Sequence, residues 1–124
     1  MRGMPSPVSE ELLVAAEASL GRALPPQVRA RLRRDNGGEI EADGDDWQLF
    51  PIWDPTDRRT VRRTANHIVR ENAEAREWES FPHDAVAVAG NGTGDLLVVC
   101  KGSDEIRLWR HDSGELEAVH EIAW

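Results

Sequence analysis

Apolar positions near the start of the chain recur at every fourth residue: Val8, Leu12, Ala16 and Leu20 form one stripe, with Gly21 after it. This period predicts a first helix. Ser6 can cap it, Pro7 stands in a first turn that needs no N–H, and Glu10 and Glu11 favour the positive end of the dipole. A shorter helix is expected from Leu24-Pro25-Pro26, with Val28 and Leu32 inward and Arg29, Arg31, Arg33 and Arg34 mostly toward water. Asn36-Gly37-Gly38 ends it, because these residues accept the left-handed conformation of a helix C-terminus.

Ile40 then falls on a short strand, Asp43-Gly44-Asp45-Asp46 makes a turn, and Trp47 to Ile52 returns as a second strand. A third helix is predicted from Arg58 to Arg76, capped by Asp57 and burying Val61, Ala65, Ile68 and Val69. From Phe81 the period becomes strand-like. Ala85–Ala89, Leu96–Cys100, Glu105–Arg110 and Leu116–Ala123 are rich in Val, Leu, Ile and Trp, and glycine-bearing turns separate them. Helices first and a meander afterwards predict an α+β fold: an antiparallel sheet, built from a C-terminal meander plus an N-terminal hairpin, packed with about three helices. A chain of 124 residues fits one domain, 1–124.

Composition narrows the function. With 15 basic and 23 acidic residues, the chain carries a formal charge of -8. That balance disfavours a free-standing nucleic-acid binder and suits a basic partner. No apolar run approaches the ~20 residues of a membrane span, and Met1 to Pro7 lacks the apolar centre of a signal peptide, so the expected compartment is the cytoplasm. One cysteine, Cys100, excludes an internal disulfide and any multi-cysteine metal site. The acids are unevenly placed: Glu39 to Asp57 holds seven of them and no basic residue.

The ordered markers carry a resemblance. They are Leu20-Gly21, Leu24-Pro25-Pro26, Asp35-Asn36-Gly37-Gly38, Leu49-Phe50-Pro51-Ile52, Asn66, Phe81-Pro82, Val88-Ala89-Gly90 with Gly92, Gly94 and Asp95, then Leu108-Trp109-Arg110-His111 and Ile122-Ala123. In order and spacing the chain resembles the SUKH superfamily, in its Smi/Knr-like branch, named after the yeast cell-wall-synthesis regulator. The likeness runs from about Val8 to Trp124. It implies a single α+β domain without enzymatic activity. Bacterial members are implied to be immunity proteins that neutralise a toxin encoded beside them, commonly a nuclease or another nucleic-acid-modifying domain. It also implies that Asn36, Gly37, Gly38, Gly92, Gly94 and Asp95 are structural turns that shape the sheet. The alternative is a non-enzymatic intracellular regulatory or scaffold module, as the yeast namesake implies.

The residues themselves offer little catalysis. Glu39, Glu41 and Asp43 alternate before Gly44 as in a calcium loop, but position twelve of that loop would be Phe50 rather than a bidentate acid. Gly90 to Asp95 is glycine-rich yet precedes a strand, not the helix N-terminus that would hold a phosphate. His67, His83, His111 and His120 are scattered, so no metal site and no cofactor is expected. Arg58, Arg59, Arg62 and Arg63 are expected to pair with the preceding acids or with Glu71, Glu74 and Glu77, or to solvate their helix. Trp109 is in a phase that faces out or toward a second layer. The candidate partner-binding set is Glu39, Glu41, Asp43, Asp45 and Asp46, with Trp47 or Trp53 as apolar anchor. These acids would occupy the place where a cationic toxin holds phosphates.

Overall fold

Helix α1 (Glu10–Leu20) starts at Ser9, whose hydroxyl accepts the Leu12 N–H at 3.3 Å. The computed structural model describes residues 7–124, so the expected cap Ser6 lies outside the described residues. The buried face of α1 is Leu13, Ala16 and Glu17, while Leu12 and Leu20 are only half-buried. Val8 is buried, but it precedes the helix and is therefore out of helical phase with it. Glu17 can face inward because its carboxylate accepts the Leu24 N–H at 2.7 Å and the Arg29 Nε–H at 2.8 Å. Gly21, at φ 85°, closes the helix by donating to the Glu17 carbonyl.

Helix α2 (Pro26–Arg34) buries Val28 and Leu32 as the pattern predicts. Arg31 departs from it. That side chain is buried, its pKa is lowered by the loss of water around it, and its Nε–H has no partner among the described residues.

The expected third helix is broken into α3 (Arg58–Arg63) and α4 (Ile68–Ala75). Two polar contacts break it. Thr64 Oγ accepts the Asp54 N–H at 3.0 Å, and the Ile68 N–H donates to the Pro51 carbonyl at 2.8 Å instead of continuing a helical ladder. His67 restarts the helix, its Nδ1 accepting the Arg70 N–H at 3.2 Å. Val61 and Ala65, expected inside, are exposed as a result; Ile68 is buried.

The sheet has seven antiparallel strands: β1 (Gly38–Ala42), β2 (Asp45–Leu49), β3 (Ala85–Gly90), β4 (Leu96–Cys100), β5 (Arg107–Trp109), β6 (Leu116–Ala118) and β7 (Ile122–Ala123). Their order is β6-β5-β4-β3-β2-β1-β7. The last predicted strand is thus two, and its halves lie at opposite ends of that order. The chain from Ala118 to Ile122 can span at most about 14 Å, whereas the ends of a flat seven-stranded sheet would be about 29 Å apart. The sheet must therefore curl, bringing its two edges together. Trp109 is fully buried inside it, edge-on to Phe81 at 5.2 Å.

Two buried asparagines satisfy backbone groups that the strand ladder leaves unpaired. Asn72 of α4 accepts the Ala87 N–H at 2.7 Å and donates to the Ala87 carbonyl at 2.8 Å, beside the irregularity between Ala87 and Ala89 in β3. Asn36 does the same for both backbone groups of Ile52. The Asn72 amide stands in for a missing neighbour of β3, and the Asn36 amide pairs with the segment that follows β2.

Candidate functional site

The β1–β2 hairpin carries most of the acids singled out by sequence. Asp43 at φ 49° and Gly44 at φ 87° form its two-residue turn, the geometry for which Asp-Gly is favoured. The register pairs Ile40 with Trp47, Glu41 with Asp46 and Glu39 with Gln48. Because side chains alternate, Ile40, Ala42, Trp47 and Leu49 enter the core. Glu39, Glu41, Asp46 and Gln48 share the exposed outer face.

The five acids are consequently not equivalent. Glu39, Glu41 and Asp46 share that outer face, and none has a cation within 4 Å among the described residues. Asp45 is exposed at the start of β2 in the phase of Trp47. Asp43 is committed within the chain: its Oδ1 accepts the Glu121 N–H at 2.8 Å and the His120 N–H at 3.1 Å. These backbone donors hold its carboxyl below the usual aspartate range. Asp43 therefore latches the chain entering β7 onto the hairpin turn. That pairing also brings Glu121 to a crevice with Glu41, Asp43 and Gly44. No sequence pattern marked Glu121, because its place depends on a pairing between residues about 80 positions apart.

The two tryptophans diverge as well. Trp47 is 2% exposed, its indole inside the core with Nε1–H unpartnered among the described residues, so it cannot serve as a surface anchor. Trp53 is 47% exposed and stands beside His67, with ring centroids 6.3 Å apart. It lines an apolar groove of about 240 Å³ between α1 and α4, with Leu12, Ala15, Ile52 and Val69. None of the five acids lines that groove. Burial and the neighbouring Arg70 lower the His67 pKa, which favours the neutral ring that its cap requires.

The remaining marked positions are glycines with positive φ and two polar residues, Asn36 and Asp95, that hold backbone groups. Gly37, at φ 99°, lies where a Cβ would approach Pro51 Cβ at 3.2 Å. Gly38 has φ 91° and Gly92 φ 84°. Gly94, at φ 108°, admits the His111 ring, which a Cβ would meet at 3.0 Å. Asp95 accepts from His111 N at 3.1 Å and from Arg110 Nη1 at 3.1 Å, and lies 2.6 Å from His111 Nδ1. Burial raises the Asp95 pKa, but the hydrogen bonds from His111 and Arg110 outweigh it and hold the carboxyl low.

Three basic residues of α3 solvate the helix, one of the two outcomes expected for them. Arg58, Arg59 and Arg62 are exposed and form no ion pair within 4 Å among the described residues. Arg63 and Asn66 face Gly37, Gly38 and Gln48 across a crevice of about 220 Å³. That crevice sets α3 beside the base of the acidic hairpin. No three His, Cys, Asp or Glu side chains among the described residues are grouped to hold a metal ion, and no described helix is long and apolar enough to cross a membrane.

The profile of the SMI1 / KNR4 family (SUKH-1) matches residues 7–122. The chain belongs to that family. SUKH-1 domains are generally associated with immunity proteins for polymorphic toxins and are typically non-catalytic. Among solved structures, this SUKH-1 chain is similar to the crystal structure of a protein from Pseudomonas syringae pv. tomato. The TM-score is 0.59 at 17% identity, covering 100% of this chain and 79% of that one. Identity that low supports a common fold alone. No curated protein sequence matches the chain.

Proposed function

We propose that this SUKH-1 domain is an immunity protein that binds and neutralises a cognate bacterial toxin, basic in character and a nuclease or other nucleic-acid-targeting protein. The outer face of the β1–β2 hairpin is its docking surface. One observation carries this reading: Glu41 lies directly opposite Asp46, with Glu39 on the same face and no cation beside them among the described residues. Like charges directly opposite on a sheet destabilise it. An exposed face that keeps such a pair gives up stability for something other than folding.

A cationic toxin supplies the missing charge. Glu39, Glu41 and Asp46, with Asp45 at the hairpin end, take the place of the phosphates that such an enzyme holds, and the active face is blocked without any chemistry. Opposite charges steer the encounter and make its rate fall with salt. Trp53, in its groove between α1 and α4, remains the one exposed anchor of the original pair.

The test is association with the toxin encoded in the adjacent reading frame, together with rescue of a toxin-killed host. Association should slow about tenfold or more between low and high salt. Charge reversal at Glu39, Glu41 and Asp46 should abolish both binding and rescue. Salt-insensitive binding that survives the triple reversal would refute the electrostatic docking. Failure to bind or rescue against any adjacent toxin would leave the regulatory module as the standing alternative.

A further inference from the structure

We propose that the crevice where the ends of α1 and α4 meet the start of β3 and the turn after β4 binds a small phosphate dianion, held by Lys101, Arg76 and His83. The crevice has a volume of about 250 Å³, and Gly21, Arg22, Arg76, His83, Asp84 and Lys101 are among the residues that line it. Three of these are lysine or arginine, and Asp84 is the one acid, in a chain whose formal charge is -8.

The three cations differ in what they are committed to. Arg22 is fully engaged: its Nη1 donates to the carbonyls of Cys100 at 3.0 Å and Ser103 at 2.9 Å, and its Nη2 reaches Asp104 at 2.8 Å. It ties the turn after β4 to the end of α1 and so fixes one wall of the crevice. Arg76 donates from Nη1 to the His83 carbonyl at 3.3 Å. Neither Arg76 nor Lys101 has an acid within 4 Å among the described residues. The segment from Met1 to Ser6 contains no acid that could supply one.

Fold architecture accounts for part of this charge and not for the rest. Arg76 stands at the C-cap of α4, where the helix dipole favours a cation. Lys101 serves no helix end. It directly follows β4, and the last β3–β4 pair, Ala85 with Cys100, leaves it one step beyond the ladder, as Asp84 is on the other strand. Lysine binds phosphate as a point charge, and a guanidinium adds directed N–H groups. A doubly charged oxyanion gains from both cations at once, whereas chloride meets them singly, and Asp84 opposes either. Pockets for drug-sized ligands span roughly 300–1,000 Å³, so this smaller crevice suits a phosphate group rather than a whole nucleotide. It shares no residue with the acidic hairpin or the crevices beside it.

Titration with inorganic phosphate tests the site without any toxin, so its failure leaves the immunity reading untouched. Phosphate should replace chloride at a constant ionic strength of ~0.15 M and mildly alkaline pH, while amide resonances are followed by NMR. The resonances of Gly21, His83 and Lys101 should shift saturably. R76Q/K101Q should weaken binding about tenfold or more, since it removes hydrogen bonds to a charged group. Asp84→Asn should tighten it about threefold by removing a like charge. All three positions are exposed, so the variants should keep the wild-type circular dichroism spectrum and melting transition. If the double variant fails to fold, Asp84→Asn alone decides. Shifts that stay linear in phosphate overturn the proposal. So does a folded double variant that binds like wild type, or an Asp84→Asn chain that binds no more tightly.

Discussion

Asn72 shows how much a single polar side chain holds in this fold. It is 2% exposed, and its amide satisfies both backbone groups of Ala87 while also donating to the Ile68 carbonyl at 2.8 Å. Asn72→Leu would keep the volume and leave those groups buried without partners. We expect a loss of about 2–5 kcal/mol, since each orphaned group costs roughly 1–3 kcal/mol. Urea unfolding of the variant measures it. Asp43 makes a different case, because its carboxylate is exposed yet bound to the backbone of His120 and Glu121. Its pKa is lowered on folding, so its contribution is fully present above the ordinary aspartate value and fades as pH falls through the lower folded one. Melting curves from pH 6 down should therefore show wild type losing more stability than Asp43→Ala. Amide exchange at Glu121 should be faster in Asp43→Ala, and Asp43→Asn should recover part of the protection, since asparagine keeps an acceptor oxygen and tolerates the left-handed turn.

At the scale of elements, α1 and the α3–α4 break separate what periodicity can and cannot read. The helical period of α1 is legible, but its phase is not. The stripe through Leu12 included Val8, which stands outside the helix, and omitted Leu13, which is completely buried. Glu17 hid the true face, because a charged residue reads as solvent-facing unless its partners, Leu24 and Arg29, are known. Leu13→Ala should then cost about 2–5 kcal/mol as a core cavity, and Leu12→Ala distinctly less. Chemical denaturation of the pair distinguishes the two phases. The break between α3 and α4 was likewise illegible, since it depends on the Pro51 carbonyl and the Asp54 N–H arriving from elsewhere in the chain. The hairpin, in contrast, was legible in outline: Asp43-Gly44 specifies the tight turn, although Asp45 and Asp46, expected in that turn, open β2, which ends at Leu49 rather than Ile52. Alternation from Ile40 to Leu49 sets the faces. It follows that Trp47, in phase with Leu49, belongs inside, although a tryptophan amid acids looks like an anchor.

Across the whole molecule, charge and curvature act together. The curled sheet brings its edges within reach of a three-residue link, and Asp43 fastens β7 beside β1, so that Glu121 joins the rim of the acidic hairpin. The same face is electrostatically costly. Glu41→Gln removes the like-charge pair with Asp46 and should raise stability by a few tenths of a kcal/mol. It should also slow association with a cationic partner. A higher melting temperature together with a lower association rate would mark Glu41 as a residue kept for binding at the expense of folding. If both quantities stay unchanged, Glu41 serves neither purpose.

Local physics settled what the sequence could decide alone. The helical and strand periods, the turn chemistry of Asp-Gly and Asn-Gly-Gly, and the ordered markers of a SUKH domain all act over a few residues, and the acid-rich run from Glu39 to Asp57 is visible without any fold. Tertiary structure decided which acids share a surface, which tryptophan is exposed, and where the last strand divides. These depend on partners far apart in the chain: Asp43 on Glu121, Asn72 on Ala87, Gln48 on Asn66 across a crevice. Side-chain alternation then sent neighbouring residues to opposite faces, and the curl of the sheet brought distant ones to the same edge.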